Sequence, residues 1–180
     1  MTLKMSARGF RTYLQAPDAN DEETFLKAMR DSTGLHHPWV NAPKDHKAWT
    51  RYLKRLERDT EAGFLVRRLD DQVICGVVNL NIIVYEALCS AYTSYFGVAG
   101  LVEKGYMKEG LQLLVRYAFN ELGLHRLEAN IQPRNLASIA LAQSVGFQYE
   151  GFSPRFLKIN GEWCDHERWA ILADSEQSGS

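Results

Sequence analysis

The residues able to do chemistry cluster in the second half of the chain. Val102-Glu103-Lys104-Gly105-Tyr106-Met107-Lys108-Glu109-Gly110 leads into an apolar series, Met107, Leu111, Leu114, Val115, Ala118, Phe119 and Leu122, at helical spacing. An aromatic, strand-like run over 91–98 precedes it. Strand, short loop, glycine and helix in that order aim unpaired backbone N–H groups and the positive end of a helix dipole at one spot, which suits a phosphate. A glycine there equally serves as a plain turn. Asn135, just after Pro133, is placed to cap a helix, with Ser138 one turn on and facing the same side. Glu128 alternates with Arg126 and Asn130 on a strand-like segment, either as a carboxylate for proton transfer or as the ion-pair partner of Arg126 or His125. His36-His37 raises the question of a metal, but adjacent histidines diverge on most backbones and no third ligand stands at supporting spacing.

These groups need elements to position them. Arg8 to Gln15 is expected as a first strand ending before Pro17. Asp18 to Asp21 is rich in capping residues, and Phe25, Leu26 and Met29 stripe a helix to about Arg30. Ser32 to Asn41 is expected as a loop. Pro43 opens a second helical pattern with Trp49, Leu53 and Leu56 on one face and a cationic remainder. Gly63 to Leu69 and the β-branched run Val73 to Val84 are strands joined at Asp70-Asp71. After the aromatic strand and the loop–helix come a strand from His125 to Gln132 and a short helix from Asn135 to Gln143. A last hairpin pairs Phe147–Lys158 with Trp163–Leu172 across Asn160-Gly161, a type I′-compatible turn. The order β-α-α-β-β-β-α-β-α-β-β predicts one mixed α/β domain over residues 1–173, with 174–180 as a disordered tail.

The 180 residues, 46% hydrophobic and 24% charged, fit a single globular domain with a sizeable core. A formal net charge of −1 gives no electrostatic reason for direct nucleic-acid binding. Cys75, Cys89 and Cys164 are odd in number and lack a CxxC spacing, so they are buried or incidental thiols of a reducing compartment. No apolar run is long enough to span a bilayer, and the start lacks a signal-peptide stretch, so a cytoplasmic protein is expected.

The series Leu124-His125-Arg126-Leu127-Glu128-Ala129-Asn130, Pro133-Arg134-Asn135-Leu136-Ala137-Ser138, Val145-Gly146-Phe147 and Glu150-Gly151 resembles the GNAT superfamily of N-acetyltransferases. Within it the chain is similar to the branch holding the ribosomal-protein-alanine enzymes, closely from Ala91 to Trp169 and more loosely before. The resemblance implies a mixed sheet of about seven strands with about four helices, whose two central parallel strands splay apart to admit acetyl-CoA as co-substrate, with no metal. The pantetheine arm would pair with the backbone at Phe96-Gly97-Val98 like an added strand. Tyr95 and Phe96 would wall that groove, although Phe96 equally fits core packing. The pyrophosphate would meet the main chain of Glu103, Lys104, Gly105, Tyr106, Met107 and Lys108, where Val102 and Glu103 depart from the usual loop residues. Asn130, Asn135 and Ser138 complete the cofactor set.

The same resemblance implies that Ser138 stabilises the departing thiolate, because Ala142 stands where many relatives carry a tyrosine. Arg155 occupies a position where the branch often has an acid, which leaves Glu128 as the candidate base, with an ion pair as its alternative. Tyr92, His37 and Trp39 are assigned to the acceptor side, with the Leu35–Val40 loop expected across the cleft from the phosphate loop. Direct transfer to a primary amine is implied, most simply a protein or peptide N-terminus, by a monomer or homodimer. A small-molecule acetyltransferase and a non-catalytic acyl-CoA-binding domain are the alternatives.

Overall fold

Alternating β-branched strands and amphipathic helices build a three-layer sandwich in the computed structural model, which describes residues 5–173; the tail expected at 174–180 lies outside these. The strands are β1 (Met5–Arg8), β2 (Thr12–Gln15), β3 (Ala62–Arg68), β4 (Ile74–Val84), β5 (Ser90–Gly97), β6 (Arg126–Ile131), β7 (Gln148–Ile159) and β8 (Glu162–Leu172). The helices are α1 (Glu22–Asp31), α2 (Thr33–His36), α3 (His46–Arg55), α4 (Tyr106–Arg116) and α5 (Leu136–Val145). One sheet runs in the order β1-β2-β3-β4-β5-β6-β8-β7, antiparallel at every step except β5 to β6. The expected mixed α/β class holds, with eight strands and five α-helices among the described residues.

Strand alternation sorts the core into two clusters. Val66, Val78 and Leu80 face α4 and α5 with Leu111, Leu114, Leu127 and Phe147. Their neighbours Leu65 and Val77 face α1 and α3 with Phe25, Met29, Trp49 and Tyr52. Helix α4 lies so close to β3 that a Cβ on Gly110 would stand 2.6 Å from Val66 Cγ2. That approach fixes α4, and so the loop before it, against the sheet.

Three expectations need correction. The first strand is a tight hairpin, β1–β2, turned by Gly9–Arg11 with Gly9 N–H donating to the Thr12 carbonyl at 2.8 Å. The 32–41 loop contains α2, which forms because the Ser32 carbonyl accepts from the N–H groups of Leu35 and His36. Helix α3 begins at His46, not Pro43, since the Asp45 side chain caps it by accepting from Ala48 N–H at 2.8 Å. The helical stripe after Gly105 continues past α4 as a π-helical turn over Tyr117–Glu121. The closing hairpin turns at Asn160-Gly161 as expected, both with positive φ, 50° and 90°.

Candidate active site

The parallel step is where the sheet opens. β5 and β6 pair only at Ser90↔Arg126, Ala91↔Leu127 and Tyr92↔Glu128. β4 stays with β5 to Gly97, and β8 stays with β6 to Ile131. Past Tyr92 the two central strands diverge, leaving a split between Thr93–Gly97 and Ala129–Ile131 whose facing backbones share no ladder. An amide-bearing chain could fill it by strand addition.

The wide end of the split leads to the loop before α4. Gly105 is the N-cap residue in the left-handed region, φ 82°, and no side chain caps the helix. Its leading N–H groups are therefore left for a ligand, and the site fits an anion such as a pyrophosphate. Glu103, also at positive φ, is exposed, as are Lys104 and Lys108. Tyr106 packs under two guanidiniums, Arg11 at 4.7 Å and Arg68 at 5.5 Å, and Met107 is buried in the core. These two can offer the split only their main chain. The Glu109 carboxylate is occupied elsewhere, accepting from the backbone N–H of Arg11 at 2.9 Å and of Thr12 at 3.3 Å.

On the α4/α5 face, Tyr95 reaches from β5 across the gap to the first turn of α5. Its hydroxyl donates to the Ser138 carbonyl at 2.9 Å and accepts from the Ser138 hydroxyl at 3.1 Å. Burial pushes the Tyr95 phenol up to about 12, the Ser138 hydrogen bond pulling it partly back. Asn135 caps α5 by accepting from Ser138 N–H at 3.2 Å, which sets the serine's position. Ala142 is fully buried, so the phenol beside Ser138 comes from β5.

The other face carries a different set. Tyr92 and Glu128 stand opposite each other on the last paired rung. Glu128 accepts from Arg126 Nε at 2.8 Å, and the rest of that guanidinium grips Glu150. Arg126 holds the Glu150 carboxyl below its ordinary range. Asn130 follows on the same face of β6, its buried Oδ1 without a partner. On β4 and β5 lies a network that the strand pattern had hidden. Tyr52 donates to Asn79, and the Asn79 and Asn81 amides both donate to the Ser94 hydroxyl. Two asparagines at i and i+2 in an otherwise apolar strand were the available signal, because such alternation puts both on one face.

The His37-Trp39 segment sits differently from expectation. His36, not His37, turns inward: it is buried, its ring meets Phe96 edge-on at 5.2 Å, and its Nε2 bonds the Gly97 carbonyl at 2.8 Å. Ser32 accepts from Ala99 N–H at 2.9 Å. The loop is thus tied to the start of the phosphate-loop segment instead of lying across the cleft from it, because α2 brings Ser32 and His36 onto one side, one turn apart. His37 is exposed and Trp39 half-buried. The hairpin turn reaches this segment through Asn160 Nδ2, which donates to the Pro38 carbonyl at 3.3 Å. Arg155, at a bulge in β7 with φ 48°, is exposed and its N–H donates to Asp165 at 2.8 Å.

Among the described residues no three His, Cys, Asp or Glu side chains converge to hold a metal. Cys75 is fully buried in the core, where burial pushes its thiol up to about 12, as suits a packing residue. No helix among the described residues is long and apolar enough to cross a membrane.

Residues 11–148 match the family model described as "Acetyltransferase (GNAT) domain". The chain is 43% identical to the probable N-acetyltransferase YjcK of Bacillus subtilis over 132 residues, 73% of each chain. It is 34% identical to the ribosomal protein uS5-alanine N-acetyltransferase of Escherichia coli over 102 residues, 57% of this chain and 53% of that protein. Among solved structures, RimJ of Mycobacterium smegmatis in complex with CoA-disulfide superposes with a TM-score of 0.84 at 23% identity, over 91% of this chain and 83% of that one, a likeness of fold.

Proposed function

Because this chain belongs to the GNAT family of acetyl-CoA-dependent N-acetyltransferases, we propose that its acceptor is the α-amine of a protein or peptide N-terminus. The observation that carries this reading is the charge state of the α1/α3 face of the split. Its carboxylate at the closed end, Glu128, shares Arg126 with Glu150, and Arg168 adds a second positive charge beside Glu150, so no anionic pocket is left; the groups beside Glu128 are Tyr92, Ser94, Asn79 and Asn81. Polyamines and aminoglycosides need an anionic pocket; amides and hydroxyls suit a peptide backbone. The relative named for ribosomal-protein alanine acetylation supports the same acceptor class.

The residues divide the work by position. The Phe96–Val98 edge and the N–H groups of Glu103–Lys108 would hold the pantetheine and pyrophosphate, with Lys104 and Lys108 adding positive charge. Acetyl-CoA, once bound, supplies an activated acyl group. Ser138 would donate to the sulfur as that atom gains charge. Tyr95, kept protonated by burial, orients Ser138 through its two hydrogen bonds to that residue. An α-amine has a pKa of about 8, so a useful fraction is neutral near that pH and water suffices to carry its proton away.

Thiol release from acetyl-CoA, measured against alanine- and serine-starting peptides, a polyamine and an aminoglycoside, tests the acceptor class, with mass spectrometry locating the acetyl group. Acetylation of peptide α-amines is expected. Efficient turnover of the polyamine or the aminoglycoside with none on any peptide would overturn it.

A further inference from the structure

The Tyr52–Asn79–Asn81–Ser94 network has a direction. Tyr52 hydroxyl donates to Asn79 Oδ1 at 2.8 Å, Asn79 Nδ2 donates to Ser94 Oγ at 3.4 Å, and Asn81 Nδ2 donates to the same oxygen at 3.2 Å. A serine hydroxyl has two acceptor sites and one proton. Both acceptor sites of Ser94 are taken by amides, and its proton has no acceptor among the described residues. Ser94 is therefore a committed donor, and it is exposed.

The rest of the network holds that direction. Asn79 is 3% exposed and Tyr52 7%, so solvent cannot reverse the chain from its inner end. Burial pushes the Tyr52 phenol up, which keeps its proton in place across the working pH range. Position follows from register. Ser94 pairs with Asn79 across β4–β5 and lies two residues past the Tyr92↔Glu128 rung, on that rung's face. It faces the closed end of the split from the side on which α3 lies.

We propose that the Ser94 hydroxyl recognises the acceptor by donating a hydrogen bond to the carbonyl oxygen of its first residue, a contact that rests on the N-terminal acceptor assigned above. An α-amino acyl unit places a carbonyl acceptor beside the reacting amine. A protonated polyamine offers only donors there and would leave the Ser94 proton unpaired. Ser94 thus selects for amines that carry an adjacent carbonyl, and Asn79, Asn81 and Tyr52 are positioning residues that hold it in donor orientation.

The test compares two acceptors: an alanine-starting peptide and the same peptide with its first peptide bond replaced by an (E)-alkene, which keeps shape and removes the carbonyl together with its amide N–H; Ser94, with both acceptor sites filled, answers only to the carbonyl. Taking the ratio of wild type to variant for each acceptor cancels the differing basicity of the two amines. Ser94→Ala should lower kcat/KM about tenfold for the peptide, as expected for one hydrogen bond to a neutral acceptor, and leave the alkene analogue unchanged. Ser94→Thr should restore the peptide rate. Calorimetric affinity for the peptide in the presence of coenzyme A should fall by a similar factor in Ser94→Ala, with acetyl-CoA affinity unaltered. Equal losses on both acceptors would show the hydroxyl acting on something other than the carbonyl, and an unchanged peptide rate would remove it from the site; either overturns the proposal. Wild-type protein that acetylates no peptide would overturn the acceptor class itself.

Discussion

Ser138 and Tyr95 share a pair of hydrogen bonds in which the phenol donates to the Ser138 backbone carbonyl and accepts from the Ser138 hydroxyl, so neither side chain is free to rotate independently. In the proposed mechanism the Ser138 proton swings from the phenol oxygen to a developing sulfur anion while the Tyr95 bond to the Ser138 carbonyl persists. Ser138→Ala should therefore lower kcat by about a hundredfold, in line with the loss of one preorganised donor, while the calorimetric affinity for acetyl-CoA stays near wild type. Parallel losses in affinity and turnover would make Ser138 an ordinary binding contact. His36 makes a second residue-level case. Burial lowers its pKa below 6.5, the Gly97 hydrogen bond opposing the shift, and its buried Nδ1 has no acceptor for an added proton. The unfolded chain takes up that proton more readily, so this contribution to stability is complete above about pH 6.5 and is lost as pH falls toward the lower folded value. The thermal midpoint should drop between about pH 7 and pH 5, above the carboxylate range. His36→Gln, which can still donate to the Gly97 carbonyl but does not titrate, should flatten that segment of the curve. An identical slope in the variant would remove His36 as its source.

At the scale of elements, the loop and α4 depend on one backbone conformation. Gly105 sits at φ 82°, where a side chain is strained, and a Cβ there would stand 2.8 Å from Arg11 Nη2, the group that donates to the Lys104 carbonyl at 2.8 Å. Gly105→Asp adds strain, displaces Arg11 and sets a carboxylate at the helix mouth. Its acetyl-CoA affinity should fall at least about tenfold, since one unit of like charge near a phosphate is worth on the order of 1 kcal/mol or more. Calorimetric affinity equal to wild type, with an unchanged circular dichroism spectrum, would take the loop out of the binding site. This element was legible in the sequence because a helical stripe and a glycine are local signals. So was Asn135, whose cap position follows from Pro133 and the helix after it. Lost to sequence reading were the features made by distant partners. α2 owes its function to His36 meeting Gly97, 61 residues away. Tyr95 meets Ser138, 43 residues away, only because β5 and α5 share one face of the sheet. The inward histidine of the His36-His37 pair was not decidable without α2, since a loop and a helical turn send the two rings to different sides.

On the scale of the whole molecule, the sheet has a seam. The β1–β5 half and the β6–β8 half are joined in the ladder by three residue pairs, with α4 and α5 packed across one face and hydrogen bonds such as Asn160 to the Pro38 carbonyl and His125 N–H to the Cys89 carbonyl adding to the join. A ligand that lies in the split and hydrogen-bonds its edges adds contacts to both halves while also engaging the α4 mouth. Coenzyme A at about 100 times its Kd should stabilise the fold by about 2.7 kcal/mol, which for a domain of this size is a rise of roughly 5–10 °C in Tm. The change should also be local. Backbone amides at the split, in Tyr95–Gly97 on β5 and Ala129–Ile131 on β6, should slow in hydrogen exchange together with those of Gly105–Lys108. Amides in β2 and β3, which are paired on both sides already, should change only as far as global unfolding sets their rate. A thermal shift accompanied by protection at the helix mouth alone would mean that the nucleotide end binds while the arm stays outside the sheet, and the strand-addition geometry would then fall.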